Sequence, residues 1–383
     1  MAFDITEIID KLPPLRIPGL HSTESIGIDL GSSSIKIVQF KGVPGKYALA
    51  RWSVIPLSTM AEGDKVELSP EERKANTINT LKNYRGTGKN IPKNAATSVS
   101  GNAVIVRYVK FQKLTRKELS KTIKAEAEPY IPFNVEEVFI GFHPLRDVTE
   151  EGKQKMETVL VAAKKDYVNQ KIEIMESAGF KPSIVDVDAF ALESIYEATL
   201  APQVSDESVL IANIGFSKTN FTIIEKGLSV VVKDSPVSGN SITKQLMKSL
   251  GIDFRTAEKL KLANGILSPE EKEAAAEEQK KEALAVSEAA IVSAKELATE
   301  TKKIIQYYYT QGKDKKIAKI VIAGGGANLK NLAAYLFAEL GVPVEKINTF
   351  SKVGGAHGIP EEYQTTLAVA AGLALRRPGD IKE

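Results

Sequence analysis

Apolar residues recur along this chain with two different periods, and the places where the period changes outline its elements. From Ser25 to Phe40 the sequence SIGIDLGSSSIKIVQF alternates apolar and polar positions on both sides of a Gly-Ser-Ser-Ser turn. Period two marks a strand on a sheet, and two such runs around a small-residue turn predict a hairpin. Further strands are predicted at 47–56, 95–99 and 103–110, with a helix over 69–84 opened by Ser69-Pro70-Glu71-Glu72. Thr115 and Glu118 form a capping box for a helix that ends before Pro132. Strands follow at 138–145 and 156–164, separated by a polar stretch, 147–155, that reads as an exposed loop. A helix over 165–177 stops at Gly179. The run 107–180 therefore reads as a small α+β module of its own: strand, helix, two strands, helix.

A strand at 184–187 and a helix at 189–198 lead to a polar boundary near 205–207. A second hairpin is predicted at 209–214 and 219–225, turning through Gly215-Phe216-Ser217-Lys218, with a third strand at 228–233. Helices follow at 239–250 and 253–262. The stretch 268–316 reads as a long helical region. Its early part, 270–282, is rich in Ala, Glu and Lys with little apolar stripe and reads as a solvent-facing extension. Its later part carries Ile291, Leu297, Ile304, Ile305 and Tyr308 and should dock on a core. A strand at 317–323 ends in Gly324-Gly325-Gly326. A helix at 329–340, a strand near 344–347 and a last helix at 365–375 complete the pattern. At the start, Ile5, Ile8, Ile9 and Leu12 fall at helical spacing behind Asp4 and Glu7, and Pro13-Pro14 ends this short helix. Residues 15–25 read as a linker. The opening MAFDITEIID has neither the basic start nor the apolar core of a signal peptide.

The main organisational clue is a repeat. Ile26-Gly27-Ile28-Asp29-Leu30-Gly31-Ser32-Ser33-Ser34-Ile35-Lys36 and Val209-Leu210-Ile211-Ala212-Asn213-Ile214-Gly215-Phe216-Ser217-Lys218-Thr219 share one grammar. Each is an apolar strand, a short polar residue, an apolar residue, Gly, small polar residues, then another strand. They lie about half the chain apart, which predicts a duplicated α/β lobe with a cleft between the copies.

Composition narrows the function classes. The 383 residues carry 51 Lys plus Arg against 48 Asp plus Glu, a net +3 that argues against a nucleic-acid coat. There is no cysteine, so no disulfide, thiolate metal site or cysteine nucleophile. His21, His143 and His357 lie far apart and show no ligand spacing. The longest apolar run, 367–375, falls well short of the about 20 residues that span a bilayer.

Two glycine-rich turns carry candidate chemistry. In Asp29-Leu30-Gly31-Ser32-Ser33-Ser34, Gly31 permits a tight turn, and successive N–H groups and hydroxyls can cradle phosphate oxygens. Asp29, at the strand end, is placed to hold Mg²⁺ through waters. Gly324-Gly325-Gly326 lets a flat ligand lie against backbone at a helix start. Its spacing is not that of a dinucleotide fingerprint. A plain turn at the first and packing glycines at the second remain the structural alternatives.

Asp29-Leu30-Gly31-Ser32, Asn213-Ile214-Gly215, Gly324-Gly325-Gly326 and the small-residue helix 367–375 resemble, in order, the phosphate 1, phosphate 2, adenosine and connect 2 segments of the actin-like ATPase superfamily. Residues 184–192 resemble its connect 1 segment. Within that superfamily the chain resembles the PilM family of type IV pilus assembly proteins. The likeness is carried by 26–36, Ala127-Glu128-Pro129-Tyr130-Ile131-Pro132-Phe133, 178–180 with 185–192, 257–261 and 304–308, and it runs from about 24 to 377. It implies an α/β actin-like ATPase fold, two duplicated lobes around a nucleotide cleft, with an extra α+β subdomain in the first lobe. The expected division is an extension 1–24, a first lobe of 25–106, 181–204 and 363–383, the inserted subdomain 107–180, and a second lobe 205–362 with a helical part at about 251–316.

The resemblance also implies a cytoplasmic, ATP-binding adaptor. Its partner would be a PilN-like bitopic inner-membrane protein, whose cytoplasmic N-terminal peptide is captured in a groove beside the subdomain. It would then sit at the inner membrane through that partner. Self-association and contacts with other pilus components stay open, and nothing points to nucleic acid. The implied cofactors are ATP and Mg²⁺. Asp29, Gly31, Ser32, Ser33, Ser34 and Lys36 match phosphate 1, with Asp29 serving the metal. Gly215 and Ser217 match phosphate 2, and Gly239 lies in the turn after the third strand. Glu258 and Lys261 match the ribose and base pair, and Gly324, Gly325, Gly326 and Asn328 the adenosine loop. Asn213 stands where phosphate 2 usually has an acid. An amide is no base and attracts Mg²⁺ less, so rapid hydrolysis is not expected; Asn213 as a simple turn cap is the alternative. The subdomain holds none of these motifs and is expected to serve the partner rather than the nucleotide. Two rival readings are an FtsA-like membrane tether, whose anchor helix has no counterpart in the residues 376–383, and a sugar kinase with Asp186 or Asp188 as base.

Overall fold

Each alternating hairpin becomes the centre of a sheet. The structure, a computed structural model, describes residues 2–4, 25–43, 45–58, 68–88, 90–199, 207–312 and 315–377. The expected helix at 5–12, most of the linker after it, His21, the boundary at 205–206 and the tail beyond 377 lie outside the described residues.

The first lobe holds β1 (Ala2–Asp4), β2 (Ile26–Leu30), β3 (Ser34–Val43), β4 (Lys46–Pro56), helix α1 (Pro70–Gly86) and β5 (Asn94–Val99). The chain then enters β6 (Val104–Gln112), α2 (Arg116–Ala127), β7 (Val138–Glu150), β8 (Lys153–Lys164) and α3 (Lys165–Ser177). It returns through β9 (Lys181–Val187) and α4 (Asp188–Thr199). The second lobe runs β10 (Ser208–Ile214), β11 (Thr219–Glu225), β12 (Leu228–Ser235), α5 (Gly239–Leu250), α6 (Phe254–Asn264), α7 (Pro269–Glu277) and α8 (Lys281–Tyr309). It closes with β13 (Ile317–Ala323), α9 (Leu332–Leu340) and β14 (Val344–Lys346), and α10 (Glu361–Thr366) and α11 (Ala368–Ala374) follow.

The first sheet has the order β1-β9-β5-β2-β3-β4 and the second β12-β11-β10-β13-β14. In both, an antiparallel hairpin strand (β2 or β10) pairs in parallel with a later strand, and that strand with another. Without β1 the two orders are the same topology, so the repeated sequence grammar is a repeated fold. Asp4, expected as a helix cap, instead lies in β1, which pairs antiparallel with β9.

Helices cover the sheets in layers. Leu81 of α1 and Ile174 and Met175 of α3 pack on Ile26, Ile28, Ile35 and Ile37. Helices α5, α8 and α9 cover the outer face of the second sheet through Leu246, Ala290 and Leu336. Between the two sheets lie α4 and α11, whose Leu192, Ala371 and Leu373 join Val38 and Phe40 to Ile211 and Val321 in one core. This crossing is unusually close. A Cβ on Gly372 would collide with the Ala191 carbonyl oxygen, and one on Gly27 with the Ala370 carbonyl oxygen. Small residues at 368–374 are what let α11 sit against both β2 and α4.

The order of the third sheet is β6-β8-β7. One face packs on α2 through Leu119 and Ile123. The other packs Val106, Val159 and Val161 on Val187, Ala189 and Phe190. Helix α3 ends the module but buries its face in the first lobe's core.

Three details depart from the sequence reading. Residues 147–155 are not a loop: β7 and β8 extend into a ribbon that turns at Glu151 and Gly152, both at positive φ. Its two strands are joined by cross-strand pairs, Arg146–Glu157 at 2.6 Å and Lys155–Glu150 at 2.6 Å, and Lys110 of β6 also reaches Glu150 at 2.6 Å. The region 268–316 is broken after α7 at Gln279, φ 55°, with Lys280 N–H bonding back to the Ala275 carbonyl in a left-handed helix cap. Helix α7 is largely exposed, as expected, yet Lys330 fixes its Glu271 at 2.5 Å. The last helix is split at Leu367 into α10 and α11.

Candidate functional site

The hairpin register places the chemistry. Asp29 stands opposite Lys36 across β2 and β3, and their charged groups are 3.2 Å apart. In the repeat, Asn213 stands opposite Asn220, and its Nδ2 donates to Asn220 Oδ1 at 3.1 Å. The first lobe thus carries an ion pair where the second carries an amide pair. Asn220 in turn donates to Asp234 Oδ1 at 2.5 Å, so Asn213 is one rung of a three-strand ladder and not a turn cap. Asp234 Oδ2 accepts the Gly101 N–H of the first lobe at 2.7 Å, and Lys218 Nζ donates to the Ser100 carbonyl at 3.2 Å. The two repeated turns meet as well: the hydroxyls of Ser32 and Ser217 are 2.7 Å apart.

Between the lobes lies a cavity of about 620 Å³, within the range of small-molecule sites. Asp29, Gly31, Ser32, Ser33, Ser34 and Lys36 line it from the first turn, and Asn213, Gly215 and Ser217 from the second. Gly239, Glu258, Lys261, Gly324, Gly325 and Gly326 complete the predicted wall. Asn328 is not on that wall. Its side chain donates to the Glu362 carbonyl at 2.8 Å and accepts from Thr365 at 2.9 Å, which ties the glycine loop to α10.

The glycines divide by role. A Cβ on Gly31 would lie 2.8 Å from the Ser34 carbonyl, and one on Gly215 2.9 Å from the Lys218 carbonyl, so both turns close on a carbonyl three residues on. Gly324, at φ 82°, would put a Cβ 2.7 Å from Asn213 Oδ1, and Gly326 would press on Ile214. Those two serve packing. Gly325 has open space where a side chain would stand, so it offers bare backbone to the cavity.

On the second lobe, Lys261 Nζ donates to Glu258 Oε1 at 2.5 Å, to Thr243 Oγ1 at 2.8 Å and to the Gly239 carbonyl at 3.3 Å. Burial pushes the Lys261 pKa down and Glu258 pulls it back. On the first lobe, burial pushes the Asp188 carboxyl up and the Asp29 charge adds to it, while Ser100 and Ser98 hydroxyls offset part. Asp186 does not line the cavity. Its fully buried carboxylate holds Arg376 Nε at 2.6 Å, which removes it as a candidate base. Among the described residues no three His, Cys, Asp or Glu side chains cluster for a metal. A divalent cation here would rest on Asp29, water and a ligand's own oxygens.

Two helical walls escaped the sequence reading, and the first is Pro70, Arg73, Lys74 and Thr77 of α1. Tyr167, Gln170, Lys171 and Ile174 of α3 line the cavity, although the module was expected to hold no part of it. Their i, i+3, i+4, i+7 spacing is the only signal, and an ordinary amphipathic helix shows the same.

A profile of the family described as type IV pilus assembly protein PilM matches residues 27–378. Among solved structures, the chain is similar to one in the PilM-PilN type IV pilus biogenesis complex, at 27% identity and a TM-score of 0.75, covering 92% of this chain and 98% of that one. It is also similar to the ethanolamine utilization protein EutJ of Carboxydothermus hydrogenoformans, at 15% identity and a TM-score of 0.53, over 97% of this chain and 93% of that one. MreB5 of Spiroplasma citri bound to ADP matches at 11% identity and a TM-score of 0.50, over 92% and 95%. The last two likenesses concern the fold alone. Among the described residues no helix is long and apolar enough to cross a membrane.

Proposed function

Because the chain belongs to the PilM family of type IV pilus assembly proteins, we propose that it is an ATP-binding cytoplasmic adaptor of the pilus machine. It holds the N-terminal peptide of a PilN-like inner-membrane protein and reaches the membrane through it. The observation that carries the nucleotide half is the cavity walled by both repeated turns and by Gly324, Gly325 and Gly326. In this reading the N–H groups and hydroxyls of 31–34 and 215–217 bind phosphate oxygens. Lys36 neutralises charge, and Asp29 is the residue that would hold Mg²⁺, through water. Glu258 and Lys261 receive the ribose and base beside the bare backbone of Gly325. Mg²⁺ supplies charge neutralisation on the phosphates. Asn213 sits where a carboxylate would polarise water, and an amide accepts no proton. Turnover is therefore expected far below the typical enzyme rate of roughly 10 per second.

The test is calorimetric titration of ATP with and without Mg²⁺. Asp29→Ala is expected to abolish the Mg²⁺-dependent gain in affinity, a loss of about 10-fold or more, and chelation should do the same to the native chain. Absence of nucleotide binding by the native chain would defeat the reading.

The partner half has its own measurement. The PilN name belongs to the similar complex, and a tail that orders on binding gives modest affinity. The protein is expected to leave anionic liposomes unbound and to bind a synthetic N-terminal peptide of its PilN-like partner with a Kd on the order of 1 μM, about −8 kcal/mol. Sedimentation with bare liposomes and no peptide heat would favour the FtsA-like tether instead.

A further inference from the structure

Helix α3 brings an ammonium to the phosphate turn that no motif announces. Lys171 Nζ donates to the Leu30 carbonyl at 2.9 Å, one residue before Gly31. Among the described residues this carbonyl is its one hydrogen-bond acceptor. An ammonium has three donors, so two are left for something else. The ring of Tyr167 lies 5.8 Å away on the same helical face. The carboxylates of Asp29 and Asp188 act on Lys171 through space, and Asp29 is already engaged by Lys36 at 3.2 Å. Burial works against the Lys171 charge. A partly desolvated cation with spare donors on the wall of a cavity is costly without an anion and gains from one.

The placement selects which part of a ligand it meets. Lys261 and the glycine triplet hold the second-lobe end of the cavity, and Lys171 stands on the first-lobe wall beside Asp29 and Asp188. A nucleotide laid across the cleft from the second lobe would extend its phosphates towards that wall, where Lys36 is paired with Asp29 and Lys171 keeps two donors for the phosphate farthest from the base. The geometry points to Lys171 as the ligand for the terminal phosphate of a nucleoside triphosphate. It is the residue that separates triphosphate from diphosphate, and it is supplied by the inserted module and not by either repeated turn. This rests on the nucleotide reading of the cleft.

The experiment compares ATP and ADP titrations, both with Mg²⁺, for the native chain, Lys171→Met and Lys171→Arg. Lys171→Met should weaken ATP by about 10-fold or more and ADP by less than about 3-fold, and Lys171→Arg should keep most of the ATP affinity because the cation is retained. Thermal melting checks that each variant is folded. A second measurement needs no variant: amine acetylation of the native protein followed by mass spectrometry. ATP should protect Lys171 strongly and ADP weakly. Equal losses for ATP and ADP, or equal protection, would overturn the assignment while leaving the nucleotide site standing. No binding of either nucleotide by the native chain would remove both.

Discussion

Replacing Gly372 with valine is expected to leave no folded protein. The reason is the crossing of α4 and α11, where even a single Cβ at this position would collide with the Ala191 carbonyl oxygen. Overpacked cores usually cost about 1–3 kcal/mol because side chains can shift. Here the obstacle is backbone, and α11 has no room to withdraw, because its other side lies on Gly27 of β2. The cost should therefore approach the whole stability of a domain, about 5–15 kcal/mol. Soluble yield on expression and circular dichroism report the outcome. Gly86→Ala is the control, since nothing lies within 4 Å of that Cβ. A soluble Gly372→Val protein with a native melting curve would show that the two helices are not in the contact described.

Arg376→Met should also destabilise the fold strongly. Asp186 Oδ2 lies 2.6 Å from Arg376 Nε with its side chain wholly excluded from water, and the same guanidinium donates to the Phe190 carbonyl at 3.2 Å. Removing one partner of a buried ion pair costs about 3–5 kcal/mol, mostly because the remaining charge is stranded. Urea unfolding should show a loss of that size. Adding Asp186→Asn to Arg376→Met should recover part of it, since an amide is cheaper to bury than a carboxylate. If Arg376→Met alone shifts stability by less than about 1 kcal/mol, the pair is not acting as a buried pair.

Much of the fold and the cleft could be read from particular residues. The alternation around Gly31 set the first hairpin, since one register only puts Ile26, Ile28 and Ile35 inside, and the second was marked by the same glycine turn after a continuous apolar run. That register brought Asp29 to Lys36 and Asn213 to Asn220. What escaped had physical reasons. The ribbon at 147–153 is polar on both sides and held by cross-strand charges, so no apolar alternation betrays it. Gln279 takes a left-handed cap that glycine usually fills, so the break between α7 and α8 left no mark. Lys171 belongs to no motif, because its significance lies in which helix faces Leu30 after folding. Asn328 was assigned by its place in a loop, and its hydrogen bonds turn it the other way.

Opening the cleft would break the hydroxyl contact Ser32–Ser217 and two stronger ones, Gly101–Asp234 and Ser100–Lys218. Each of these two involves a charged group, and such bonds contribute about 1.5–3 kcal/mol. Together they hold the first lobe to the second with roughly 3–6 kcal/mol, while α4 and α11 keep the far side joined. A cleft held shut in this way slows the entry of a ligand and its release alike, and leaves the affinity to the cavity's own contacts. The protein is built like a purse with a weak clasp and a strong seam: the clasp governs the rate of exchange, and the seam sets the axis about which the lobes would swing.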